Sequence, residues 1–291
     1  MSLEKTLLLG FIAGATILLG LPVGRLRRPA PALRVLLNAV AVGILLFLVW
    51  DVLSAAWEPI DAALGQVHDG HGGLDSAFGY GALFMAGLSV GLLTLVGYEQ
   101  WMTRLGKRTA EVAPSFGPGA MHVEELPRGV AGWSAARRLA LLIAVGIGLH
   151  NFAEGLAIGQ SAARSEIALA TLLVIGFGLH NATEGFGIVA PLAGDRSEEG
   201  TALPPSWGFL LGMGAIGGGP TFIGTIVGHA FTSEPVAVIF LTLAAGSIIY
   251  VIVQLLAVAA KSRRPDLLAY GLLFGLFAGF ATDAIVSAAG A

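Results

Sequence analysis

Residues 148–159 read GLHNFAEGLAIG, and residues 178–189 read GLHNATEGFGIV. Each copy sets a histidine, an asparagine and a glutamate inside an apolar run: His150, Asn151 and Glu154, then His180, Asn181 and Glu184. Extended by two residues, GIGLHNFAEGLAI and GFGLHNATEGFGI agree at 8 of 13 positions. In a helix, His and Glu four residues apart lie about 40° apart around the axis and about 6 Å along it, so they share a face. The asparagines fall about 100° round from the histidines, at the edge of that face. Each stretch therefore presents one polar face of a helix.

The apolar setting dictates the solvent. Of 291 residues, 55% are hydrophobic and 12% charged, with a mean hydropathy of +0.81. That charged share is about half the usual one for a soluble domain. Apolar runs long enough to span a bilayer fall near 6–23, 33–55, 77–98, 136–161, 166–193, 207–230, 235–260 and 266–288. The expected fold class is an all-α integral membrane protein with eight transmembrane helices, forming a single membrane domain over 1–291. The segment 99–135 reads as a flexible cytoplasmic loop, because proline and glycine interrupt it. The 42 glycines suit helices that pack closely in lipid.

Charge sets the orientation. With both termini outside, only Lys5 and Arg164 of the 16 basic residues lie on the outer side, as the positive-inside rule requires. A net charge of −3 without a basic stripe excludes a nucleic-acid partner. The absence of cysteine removes disulfides, thiolate metal sites and cysteine nucleophiles together.

The two motif-bearing runs are consecutive and therefore antiparallel, with His150 and His180 each near the middle of a span. Inverted helices that meet near the midplane are one way a transporter builds its substrate site. A buried carboxylate is costly unless paired, and neither span holds a lysine or arginine near Glu154 or Glu184. A divalent cation cancels the two charges, and two neutral imidazoles add nitrogen ligands. Mixed His and carboxylate donors suit Zn²⁺ and related transition metals better than Mg²⁺ or Ca²⁺. One such motif alone is equally well read as a hydrogen bond between helices. Two at matched depth, with no basic partner, favour metal.

At these residues the sequence resembles the ZIP family of divalent metal transporters, which carries an H-N-x-P-E-G motif in its fourth span and a related one in its fifth. The resemblance implies a 3+2+3 inverted-repeat bundle of eight spans with both termini outside. It implies a multi-pass protein of the cytoplasmic membrane, commonly a homodimer. It also implies divalent metal import by an alternating-access or elevator-like motion. His150, Asn151, Glu154, His180, Asn181 and Glu184 inherit the metal-site roles. The transported substrate is Zn²⁺, with Fe²⁺, Mn²⁺ or Cd²⁺ as alternatives, and no organic cofactor is expected. The sequence departs from the family at Ala153 and Thr183, which replace the motif prolines. It also has Gly219 before Pro220, where many bacterial members carry a carboxylate, and Gln254 where a glutamate is common. The first pair moves any kink elsewhere, to Gly155 and Gly185. Gly219, together with Asn181 where some members carry an aspartate, favours one central site over a two-metal centre, and Gln254 weakens a secondary site near the cytoplasmic exit.

Secondary candidates are Asp51, near the outer end of the second run, as an entrance carboxylate, and His68, Asp69 and His71 as a loose capture loop. His122, Glu124 and Glu125 suggest a similar role in the 99–135 segment. An intramembrane metal-dependent hydrolase is the competing function, since the same ligands can activate water. It lacks an H-E-x-x-H motif and a separate general base.

Overall fold

A computed structural model describes residues 1–25, 31–112, 133–189, 192, 204–261 and 263–288. The secondary structure there is helical, without strands, in eight α-helices. They are α1 (Leu3–Ala15), α2 (Pro31–His68), α3 (Leu74–Val112), α4 (Ala135–Ala163), α5 (Ile167–Val189), α6 (Trp207–His229), α7 (Glu234–Lys261) and α8 (Pro265–Ala288). Six of them, α2, α3, α5, α6, α7 and α8, are long and apolar enough to cross a membrane. The first apolar run does not make one α-helix. It loosens after Ala15 into two 3₁₀ turns, Thr16–Leu19 and Leu21–Arg25. His122, Glu124 and Glu125 lie outside the described residues.

Helix ends follow local chemistry. Ser134 Oγ accepts the Arg137 amide at the start of α4, and Ser206 Oγ accepts the Phe209 amide at the start of α6. Each serine satisfies one donor that the first helical turn leaves unpaired. α2 and α3 run well beyond the apolar stretches at 33–55 and 77–98, to His68 and Val112. Intrahelical backbone bonds persist past the apolar segment, and the added turn of α2 exposes Trp57, Glu58 and Asp61.

The most extensive pairings fall in two groups, and α4 bridges them by lying on α7 as well as on α5. α4 lies most extensively on α6, and α1 lies against α6 and α5. α2 pairs chiefly with α8, α3 with α7, and α2 also with α7. Glycine sets these crossings. A methyl group on Gly43 of α2 would overlap the Leu272 carbonyl, and one on Gly275 of α8 would overlap the Val40 carbonyl. Gly14 of α1 and Gly218 of α6 likewise face each other's carbonyls. Backbones that close gain packing contacts where burial from water contributes nothing.

α3 and α7 are also tied at both ends. The Tyr80 hydroxyl donates to Glu234 at 2.7 Å. Tyr250 OH and Gln254 Nε2 donate to one oxygen of Glu99, at 2.6 and 2.9 Å. Tyr250→Phe should lower stability by about 1.5 kcal/mol, the low end for a hydrogen bond to a charged acceptor, because the bond is exposed. Thermal unfolding in detergent measures it, and an unchanged midpoint would show that the tie contributes nothing.

Candidate metal centre

α4 and α5 carry the two motifs side by side, and all six motif residues are buried. With Ala153 and Thr183 in place of prolines, both helices run unbroken through the motif. Gly155 and Gly185 are crossing points. Gly155 abuts the Thr221 carbonyl of α6, and Gly185 abuts Ile17 and Gly20 beyond α1.

Glu184 is the hub. Its Oε1 lies 2.7 Å from His150 Nε2 and 3.0 Å from His180 Nε2. Its Oε2 accepts from Asn151 Nδ2 at 3.3 Å. The two imidazoles tilt at 42° with centroids 5.8 Å apart. The His150 ring also bonds the Gly146 carbonyl one turn back on its own helix. A backbone partner of that kind fixes ring orientation and keeps Nε2 aimed between the helices.

The asparagines do matching work on opposite sides. Asn151 Nδ2 donates to the Gly217 carbonyl of α6 at 2.9 Å, and Asn181 Nδ2 donates to the Ala13 carbonyl of α1 at 3.0 Å. Both carbonyls sit where a helix ladder is disturbed. Pro220 removes the amide that would bond Ile216, next to Gly217. α1 passes into a 3₁₀ turn just after Ala13. Each asparagine keeps a buried Oδ1 without a hydrogen-bond partner.

His150, His180 and Glu184 place their donor atoms within 4.8 Å of one another. Glu154 stays outside that set, although it is fully buried and neither of its oxygens has a hydrogen-bond partner. The sequence pattern puts both glutamates on their helix faces alike, yet one is engaged and the other is not. Three neutral or cationic donors around one carboxylate, with a second carboxylate close by, can hold a divalent cation by charge and by lone pairs.

The outlying candidates are not drawn in. Asp51 lies half-buried on α2 with Oδ2 unpartnered, and Asp283 of α8 and Glu58 act on it electrostatically. His68, Asp69 and His71 are exposed, and the His71 ring bonds only as far as the Asp69 carbonyl at 2.7 Å. The GGGP stretch does not break α6. Gly217 and Gly218 pack against Ile17, while Gly219 meets nothing within 4 Å. Gln254 finds its carboxylate on α3, at Glu99.

Sequence reasoning passed over the carbonyls of Ala13, Gly146 and Gly217, because a backbone acceptor carries no residue-type signal. It also passed over Gln160 and Ser161, two fully buried polar residues whose signal was their place within the 136–161 run.

A comparison with curated proteins found no match. A family model described as the ZIP zinc transporter matches residues 118–287, which takes in both motifs and the last three helices. Members of that family are multi-pass membrane proteins that transport divalent metal ions, not enzymes. With more than half of its length matched, this chain belongs to the ZIP zinc transporter family.

Proposed function

We propose that this protein imports Zn²⁺ across the cytoplasmic membrane through a site between α4 and α5. His150, His180 and Glu184 are the ligands, Glu154 joins when the ion arrives, and the asparagine Oδ1 atoms stand beside them. The observation that carries this reading is the convergence of His150, His180 and Glu184 within 4.8 Å inside two apolar helices. Nitrogen and carboxylate donors without sulfur suit Zn²⁺, with Fe²⁺, Mn²⁺ and Cd²⁺ as competitors.

Eight crossings, with both termini outside, follow from the basic residues and the even helix count. The 3+2+3 inverted repeat draws support from the paired asparagines, one reaching α6 and the other α1. It draws further support from the α2–α8 and α3–α7 pairings, which exchange under such a symmetry. Transport moves the site-bearing group α1, α4, α5 and α6 against the group α2, α3, α7 and α8. Every residue from Ala153 to Ala162 is buried, and the Ala163 end of α4 is the outer one in this orientation.

The test is Zn²⁺ uptake into proteoliposomes that hold a zinc-sensitive dye. A His150→Ala, His180→Ala double variant removes two of three converging ligands. Its uptake should fall by more than about 100-fold, since losing even an outer-shell partner costs 10–100-fold. Binding by the parent protein without flux, at any gradient, would defeat the transport reading.

A further inference from the structure

Between Glu154 and the Ala163 end, α4 carries polar atoms that the cluster does not use. Gln160 and Ser161 are both fully buried, and neither amide atom of Gln160 nor Ser161 Oγ has a hydrogen-bond partner. Buried hydroxyls elsewhere in this protein solve that problem locally. Thr6, Thr225, Thr242 and Ser247 each donate to a carbonyl three or four residues back. Ser161 does not, and neither does Thr221 beside Gly155. A polar group left unpaired in an apolar interior carries its full desolvation cost. Ser161 and Gln160 therefore call for a partner that their own helix does not supply.

Their spacing says where that partner lies. Ser161 follows Glu154 by seven residues, which returns it to within about 20° of the same face, roughly 10 Å further along the axis. Ala157 and Ile158 lie between them, one on either side of the line that joins the two. Gln160 flanks Ser161. On α5 the residues beyond His180 on its face, Phe177 and Leu173, are apolar and fully buried. Of the two motif helices, α4 thus supplies the polar groups on this side of the cluster.

We propose that Ser161 and Gln160 form a second, carboxylate-free cation station on α4. It receives a partly hydrated divalent ion from the Ala163 side and passes it to Glu154 and the cluster. The station rests on the transport reading given above. Hydroxyl and amide oxygens are neutral, hard donors that hold a dication with part of its water. Such weak binding allows entry without trapping. The loss of hydration is then divided between two places, and the unpaired Glu154 is the next acceptor in line.

The chain has no cysteine, so single cysteines report on their own positions. Ser161→Cys, Gln160→Cys and, as a buried apolar control on the opposite face of the same helix, Leu156→Cys are placed in proteoliposomes with a membrane-impermeant methanethiosulfonate. The first two should react at least about tenfold faster than the control, because thiol reactivity follows access to water. Gln160→Leu should raise the KM for Zn²⁺ uptake about tenfold, as loss of one polar ligand predicts. Zn²⁺ affinity of the solubilised cluster should not change. Cysteines as inert as the control, or a parental KM in Gln160→Leu, would overturn the station. Labelling reads water access rather than flux, so its outcome is separate from the histidine test. Inert cysteines with histidine-dependent uptake remove the station alone. Reactive cysteines with uptake indifferent to the histidines keep the station and remove the central reading.

Discussion

Glu184→Ala lowers the melting temperature of the metal-free protein, while Glu154→Ala leaves it unchanged or raises it, and both abolish the shift that Zn²⁺ produces in the parent. The two glutamates occupy equivalent motif positions, so a pattern-based argument gives them equal effects. Their surroundings differ. Glu184 Oε2 accepts from Asn151, and its Oε1 lies 2.7 Å from His150 Nε2 and 3.0 Å from His180 Nε2. Removing it takes away the carboxylate nearest both imidazoles, a change that costs about 3–5 kcal/mol when one side of a buried ionic contact is deleted. Glu154 has no hydrogen-bond partner at either oxygen, so alanine relieves an unpaired polar group at the expense of a small cavity. In both variants the ion loses a carboxylate. The parent gains stability as RT ln(1 + [L]/Kd), about 2.7 kcal/mol at a hundredfold excess over Kd, and a large loss of affinity erases that gain. Thermal unfolding with and without Zn²⁺ decides the matter. A destabilised Glu154→Ala, or a zinc shift that survives in Glu184→Ala, would reverse the assignment of hub and spare carboxylate.

Gly275→Val and Gly218→Val prevent normal folding, whereas Gly219→Ala is tolerated. A Cβ on Gly275 overlaps the Val40 carbonyl, and one on Gly218 overlaps the Gly14 carbonyl. The obstacle in both cases is backbone, which has no rotamer to escape into. The helices must separate along the whole crossing, so the cost exceeds the usual overpacking penalty of about 1–3 kcal/mol. Gly219 meets nothing within 4 Å, and alanine there gains up to about 1 kcal/mol of helix propensity. Size-exclusion profiles and melting curves of the three variants separate these outcomes. Monodisperse, parental-like Gly275→Val would show that the α2–α8 contact is not close-packed.

Much of this protein is legible in its sequence because lipid simplifies the rules. Seven of the eight apolar runs end within a few residues of a helix boundary or lie inside one, since a bilayer demands a minimum apolar length and a satisfied backbone. The repeated His-Asn-x-x-Glu pattern placed its residues in two antiparallel helices, because four-residue spacing has a single meaning on a helix. Both motif helices are continuous through Ala153 and Thr183, as α2 and α6 are even through Pro59 and Pro220.

What the pattern could not decide was which of these equivalent residues does what. The His150–His180–Glu184 convergence, the isolation of Glu154 and the reach of each asparagine to a different helix depend on the axial offset and rotation of α4 and α5. Glycine contacts set those through backbone atoms far apart in sequence: Gly155 on Thr221 and Gly185 on Ile17. The apolar run at 6–23 reads as one span, yet it turns to 3₁₀ at Thr16, and its Ala13 carbonyl is taken by Asn181. Local sequence therefore determined which side chains face the interior. Only the tertiary structure decided which of them meet, because ångström-scale register between helices is set by long-range contacts between backbones and not by any residue's own preference.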